Sequence, residues 1–205
     1  MNKVPVFTDW LYEWDVPTDV LDIALQYAQG ATYHTSVKNR TSYPEQFFGD
    51  DFDPVRNWVD DRLQDIKLDL DLECEFLKST VFWTTKSELG QWHHTHKHGF
   101  SVVSGIIYLT PSGAETWFSR PSVWSNDYTS VALHNPEISG LLFKRKTEPG
   151  KAIFFPSGLH HSVTEHDLTE PRHVLSFNSY VAGQIGSFSD IHSRRLLHLT
   201  VNQKQ

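Results

Sequence analysis

The stretch from Gly90 to Tyr108, GQWHHTHKHGFSVVSGIIY, joins a run of four histidines to a run of apolar residues and decides how this chain folds. A second group of histidines lies in residues 154–173, FFPSGLHHSVTEHDLTEPRH. These two groups hold eight of the chain's 12 histidines. We therefore expect any metal site to be built from them.

Short β-rich runs, broken by Gly, Pro and Ser, surround both groups. They are residues 76–85, 102–110, 114–118, 140–144, 151–155, 161–165 and 172–181. No helical periodicity separates them, which favours an antiparallel sandwich or barrel over alternating strands and helices. Residues 121–136 have no period and predict a long loop, whereas residues 189–199 predict a further helix.

An extended entry segment and two helices are predicted before the β-rich part. The first helix begins near Pro17 and ends at Gly30, and the second begins at Asp53-Pro54. We therefore expect a mostly β single domain with flanking helices, covering residues 1–205. It consists of an N-terminal strand with two supporting helices (1–72), a jelly-roll core (73–182) and a C-terminal segment (183–205).

Charge and cysteine content limit the partners and the compartment. The chain has 18 Lys and Arg against 25 Asp and Glu, a net charge of −7 over 205 residues. An acidic surface repels phosphate backbones and anionic lipid, so we expect neither a nucleic-acid nor a membrane partner. Cys74 is the only cysteine, and the N-terminal stretch has no apolar signal-like core, which favours a cytoplasmic protein.

Alternate histidines suit a metal. In a strand, residues i and i+2 face the same way, so His94, His96 and His98 are predicted to project together, with His93 on the other face. Two such imidazoles and one from a distant strand would give three facial ligands and leave positions open. Nucleotide-binding, zincin and serine-hydrolase motifs are absent from the sequence.

Three motifs in this order resemble small members of the 2-oxoglutarate/Fe(II)-dependent oxygenase superfamily, over about residues 80 to 182. They are GxxxxxHKHxxxxxSGIIY at 90–108, FFPSxxxHSV at 154–163 and RxxxSFN at 172–178. The resemblance implies a double-stranded β-helix, a cupin-like jelly roll. It also implies an enzyme that couples decarboxylation of 2-oxoglutarate to oxidation of a substrate, as a hydroxylase does.

The resemblance also implies roles for individual residues. His96, His98 and His161 would bind Fe(II) as the catalytic metal ligands. Arg172 would pair with the distal carboxylate of 2-oxoglutarate, since its planar fork suits a bidentate contact. Tyr108 and Ser176 would contact the same cosubstrate.

Two further choices concern the surroundings of this site. Either His94/His96 or His96/His98 could supply the two metal ligands of this run. The number of residues between the second histidine and Ser104 favours His96/His98, which leaves His94 as a pocket residue. Trp92 and Asn178 are the other residues predicted to line the pocket, Asn178 because it shares the strand parity of Arg172.

An all-imidazole site leaves other functions open. It carries no carboxylate ligand, so it could hold nickel or zinc on purification. The alternatives are a three-histidine metal hydrolase and a non-catalytic metal- or ligand-binding jelly roll. The substrate is expected to be a small molecule or a protein side chain, and the oligomeric state is left open.

Overall fold

Strands with alternating side chains build two antiparallel sheets in the part of the chain that the computed structural model describes. This part comprises residues 9–36, 39–43, 47, 49–119, 142–186 and 197–200. Its strands are β1 (Tyr12–Asp15), β2 (Tyr33–Ser36), β3 (Asn39–Ser42), β4 (Cys74–Ser87), β5 (His93–His96), β6 (Val103–Tyr108), β7 (Glu115–Ser119), β8 (Leu142–Lys146), β9 (Lys151–Pro156), β10 (His160–Val163), β11 (Arg172–Ile185) and β12 (Leu197–Leu199).

The large sheet has the order β1-β9-β6-β11-β4-β3-β2, with β12 also pairing with β11. The small sheet has the order β5-β10-β7-β8. The 14-residue strands β4 and β11 pair antiparallel in the large sheet. This mostly β arrangement of facing antiparallel sheets confirms the predicted double-stranded β-helix.

The large sheet is covered on both faces, and the alternation along β6 decides which side chains enter which core. Ile107 and Leu109 pack in the larger apolar core with the helices. Ile106 and Tyr108 pack in a second core with Phe118 of the small sheet. The space between the sheets, on the side of this second core, is where the polar site residues described below lie.

Two helices support the outer face of the large sheet. Helix α1 (Thr18–Gly30) follows Pro17 and buries Val20, Ala24 and Ala28 at four-residue spacing. Helix α2 (Asp53–Asp69) carries proline in its first turn, follows a short 3-10 helix (Asp50–Phe52) and packs against β4. Neither helix combines the length and the apolar character that crossing a bilayer requires.

Two parts of the chain differ from the sequence-based expectation, and two predicted segments lie wholly or partly outside the described residues. The hairpin β2/β3 extends the large sheet beyond β4, although its polar sequence lacks the apolar alternation that predicts a strand. Residues 197–199 form a strand rather than a helix because they pair with β11. The predicted loop 121–136 and residues 189–196 of the predicted helix lie outside the described residues.

Candidate active site

Three histidines from two segments meet between the sheets. His96 is the last residue of β5 and lies directly opposite His161 of β10, whereas His98 follows two residues after the end of β5. Their ligand-capable nitrogens all lie within 4.8 Å of one another. The Nε2 atoms of His98 and His161 are 3.2 Å apart. The structure thus brings together the three residues that the resemblance implied as metal ligands.

Backbone carbonyls fix the tautomers of two of these imidazoles. Nδ1 of His96 lies 2.9 Å from the carbonyl oxygen of His94, and Nδ1 of His161 lies 3.1 Å from that of Leu159. A carbonyl only accepts, so each Nδ1 carries the hydrogen and leaves a lone pair on Nε2. Metal-binding histidines usually donate such a hydrogen bond from the ring nitrogen that does not bind the metal.

Burial also keeps the three rings uncharged. Removal from water lowers the pKa of His98 to about 4 and that of His161 to about 3. The pKa of His96 is lowered for the same reason. Near neutral pH the three rings are therefore uncharged, with one nitrogen of each ring free of hydrogen, which is the state that binds a metal.

A β-bulge on β5 changes which histidine faces the site. In a regular pairing His94 would lie opposite Val163, but the residue opposite Val163 is His93. Three steps along β5 therefore match two along β10, and the extra residue reverses the alternation. As a result His93 turns inward, with its ring centroid 4.2 Å from that of His96. His94 is exposed, which is the reverse of the simple alternation that the sequence predicted.

A cavity of about 60 Å³, here called the central cavity, lies between the sheets beside the three histidines. No Asp or Glu is among its described lining residues. Those residues are Asn39, Trp83, Thr85, Ser87, His93, His96, His98, Gly105, Ile106, Phe155, His161, Val163, Arg172, Val174 and Ser176.

Arg172 places a buried positive charge in the wall of the central cavity. It is the first residue of β11 and only 2% exposed, and its Cζ lies 5.8 Å from the ring centroid of Tyr108. Its Nε donates to Oγ1 of Thr147 over 3.5 Å, but its Nη2 has no hydrogen-bond partner within the described residues. Burial lowers the pKa of Arg172 to about 10, so the group remains a cation near neutral pH. A buried cation with an unused donor is suited to an anionic ligand.

The other two predicted cosubstrate residues differ in position. Ser176 lies two positions after Val174 on the same strand face and lines the central cavity. Tyr108 is fully buried, and its hydroxyl shares a 2.7 Å hydrogen bond with Oγ1 of Thr116. Its hydroxyl is thus already engaged, and its ring lies against Arg172 instead.

The three predicted pocket residues lie away from the central cavity. Trp92 and His94 line an adjoining, more open groove with Trp117, which shares His93 and Val163 with the central cavity. Asn178 does share the inward parity of Arg172, but its Oδ1 accepts a 2.8 Å hydrogen bond from Ser104. The bulge on β5 explains the position of His94, and the hydrogen bond to Ser104 explains that of Asn178.

Several cavity residues were not identified from the sequence. Thr85 and Ser87 follow Trp83 at two-residue spacing on one face of β4, a signal that could have found them once the strand was placed on the cavity. His93 depends on the bulge, and Asn39 on the pairing of a hairpin with β4. No local sequence signal marks either of these two.

Residues 81–178 match the sequence model of a protein family described as "Putative 2OG-Fe(II) oxygenase". This segment contains all three histidines of the cluster and Arg172. No curated protein sequence gives a significant match to the chain.

Solved structures share the fold at low sequence identity. A prolyl-4-hydroxylase from Pseudomonas putida is 16% identical, with a TM-score of 0.59 over 83% of this chain and 93% of that one. The epimerase SnoN of nogalamycin biosynthesis, which is α-ketoglutarate dependent, is 13% identical, with a TM-score of 0.64 over 95% and 90% of the two chains. HygX from Streptomyces hygroscopicus, solved with nickel and 2-oxoglutarate, is 10% identical, with a TM-score of 0.59 over 82% of each chain.

Proposed function

We infer that this chain, whose residues 81–178 match the family model, is a 2-oxoglutarate/Fe(II) oxygenase and hydroxylates its substrate with the central cavity as its active site. Enzymes of this family are non-haem iron oxygenases, and Fe(II) and 2-oxoglutarate are their cofactor and cosubstrate. The roles of individual residues, argued below, are part of this proposal.

His96, His98 and His161 are proposed to hold the iron. Two nitrogens on one ion at about 2.1 Å lie roughly 3 Å apart, and the Nε2 atoms of His98 and His161 are 3.2 Å apart. Ligands on one side of the ion leave other positions for 2-oxoglutarate and oxygen. Bound Fe(II), together with 2-oxoglutarate, supplies the oxygen activation that couples decarboxylation to oxidation of the substrate.

The unpartnered Nη2 of the Arg172 guanidinium is the observation that carries this proposal. A buried cation with a free Nη2, lining the same cavity as the three imidazoles, supports binding of the distal carboxylate of 2-oxoglutarate. The charges agree with this occupant. Three neutral imidazoles leave the full charge of the ion, and together with Arg172 this favours a dianion over a neutral ligand. The ring of Tyr108 packs against the guanidinium of Arg172. The hydroxyl of Ser176 would donate a hydrogen bond to 2-oxoglutarate.

A hydrolase is a poorer fit to the central cavity. Metal-dependent hydrolysis commonly uses a carboxylate base beside the bound water, and the described lining residues include none. Two of the structurally similar proteins are a prolyl-4-hydroxylase and an epimerase of nogalamycin biosynthesis. We accordingly propose a small molecule or a peptide residue as substrate, with no nucleic-acid or membrane partner, and a cytoplasmic location. The oligomeric state is left open.

Succinate production tests the function directly. Protein reconstituted with Fe(II) is incubated with 2-oxoglutarate and oxygen, and succinate is measured with and without candidate peptides and metabolites. We expect slow succinate release without substrate and faster release with the correct one. If the iron-loaded protein neither binds 2-oxoglutarate nor forms succinate, the proposal is wrong.

A further inference from the structure

A second polar group in the central cavity lacks a partner. Asn39, in β3, is 2% exposed and lines the cavity, and its Oδ1 has no hydrogen-bond partner within the described residues. A buried acceptor without a partner destabilises the folded protein, so its retention calls for an explanation. Asn39 also lies outside residues 81–178, the segment that matches the oxygenase family.

Strand pairing gives the location of Asn39 in the sheet. Arg40 pairs with Lys86 and Thr41 with Thr85, so continuing this register by one step places Asn39 beside Ser87. Ser87 in turn pairs with Arg172. One row of residues therefore runs from β3 across β4 to β11, and all three of its members line the central cavity.

Asn39 and the guanidinium of Arg172 lie at opposite ends of this row. Arg172 extends toward Tyr108 and Thr147, and Tyr108 is on β6, which flanks β11 on the side away from β4. Neighbouring strands are about 4.8 Å apart, so β3 and β11 are separated by roughly 10 Å. A carboxylate held by Arg172 therefore does not reach Asn39. The side-chain amide of Asn39 is left to bind the substrate, which is the other occupant of the active site.

We propose that Asn39, with Thr85 and Ser87, forms the subsite for the substrate that is oxidised, and that Oδ1 of Asn39 accepts from a neutral N–H or O–H of that substrate. The inference rests on the proposed function. A cationic amine is disfavoured, because the described cavity wall holds the positive charge of Arg172 and no carboxylate. Trp83 adds an apolar surface in the same wall. The substrate class is thus a neutral amide or alcohol with an apolar part.

Matched small probes test the subsite. Binding of N-methylacetamide, which has one N–H, and N,N-dimethylacetamide, which has none, is compared by ligand-observed NMR on protein loaded with Zn(II) and 2-oxoglutarate. We expect the wild type to favour N-methylacetamide by up to roughly tenfold, about the effect of one hydrogen bond. The preference should disappear in Asn39→Leu and persist in Asn39→Asp, which keeps the acceptor. If Asn39→Leu does not fold, Asn39→Ala is compared instead.

The neighbouring exposed residue provides the control. Arg40→Leu changes the next position of β3, whose side chain is exposed, and should keep the preference. Equal binding of the two probes to wild type, or an unchanged preference in Asn39→Leu, overturns the inference. Calorimetry with 2-oxoglutarate on the same preparations separates it from the proposed function. Loss of the probe preference in Asn39→Leu, with unchanged 2-oxoglutarate affinity, supports the subsite. A wild-type protein that fails to bind 2-oxoglutarate contradicts the proposed function itself.

Discussion

At the scale of single residues, the central cavity keeps unsatisfied polar groups at its two ends. Nη2 of Arg172 and Oδ1 of Asn39 are both buried without a partner in the described residues. Each such group destabilises the free protein, since a buried donor or acceptor loses its water without gaining a new bond. A ligand that satisfied either group would recover that loss, so we expect both groups to contribute to affinity and to specificity.

Replacement of Arg172 by Met is expected to weaken 2-oxoglutarate binding by about 2–5 kcal/mol. Removal of one partner leaves the buried carboxylate of the ligand unpaired, which is the costly part of the change. Metal content should stay the same, because Arg172 is not part of the histidine cluster. Calorimetry on nickel-loaded protein measures the affinity, with Arg145→Met as a control in an exposed ion pair with Glu13. An unchanged affinity would assign Arg172 a structural role.

Single alanine substitutions distinguish the two possible histidine pairs. His96→Ala and His98→Ala should each abolish tight metal binding, because each removes one of the three clustered nitrogens. His94→Ala should retain the metal, since its ring is exposed and only its backbone carbonyl supports His96. Elemental analysis after dialysis against a weak chelator gives the stoichiometry. Metal loss in His94→Ala with retention in His98→Ala would reverse the assignment.

At the scale of elements, the strands next to the site are held by close packing. Gly105 of β6 pairs with Phe177 of β11, and a Cβ at Gly105 would lie 2.1 Å from Cζ of Phe177. The ring of Phe177 is fully buried between those of Phe82 and Phe154, so it cannot move aside to make room for a Cβ at Gly105. Glycine at position 105 is thus a packing requirement of the β6/β11 pair.

Gly105→Ala is therefore expected to destabilise the protein by about 1–3 kcal/mol, the usual cost of excess volume in a filled core. Urea denaturation of the metal-free protein measures the change as a lower midpoint at constant slope. Gly158→Ala is the matched control, because a Cβ at Gly158 meets no atom within 4 Å. Equal midpoints for the two variants would contradict this account of the packing.

At the scale of the whole molecule, the histidine cluster links the two sheets. His96 and His161 belong to the small sheet, whereas His98 lies in the connection from β5 to β6 of the large sheet. The backbone N–H of His98 donates to the carbonyl oxygen of Ser157 over 2.9 Å, at the end of β9. A bound ion would therefore fasten this connection to the small sheet.

Metal binding should therefore raise the stability of the whole fold. A ligand present at 100 times its Kd stabilises the native state by about 2.7 kcal/mol, if the unfolded chain does not bind it. For a chain of this size that corresponds to a rise in Tm of roughly 5–11 °C. Calorimetric scans with and without Ni(II), and after addition of EDTA, measure it. His98→Ala should show no rise, and an equal rise in that variant would place the metal elsewhere.

The sequence by itself determined the main elements and the candidate metal-binding and cosubstrate-binding residues. Apolar residues at helical spacing predicted both helices, and short β-rich runs bounded by glycine and proline predicted the main strands, because these signals act through local backbone and side-chain preferences. The resemblance of three motifs to the 2-oxoglutarate/Fe(II)-dependent oxygenase superfamily selected His96, His98, His161 and Arg172 as candidates. Spacing along the sequence decided only between the two histidine pairs. Their roles as ligands stay predictions, although the structure brings the three histidines together.

Only the tertiary structure decided what surrounds those residues. The bulge on β5 turns His93 toward the cavity in place of His94. It arises from pairing with β10, and the histidine run itself contains no signal for it. Asn39 reaches the central cavity because a polar hairpin pairs with β4 more than 40 positions later in the sequence. Both effects depend on contacts between distant segments, whereas periodicity reports only on neighbours along the chain.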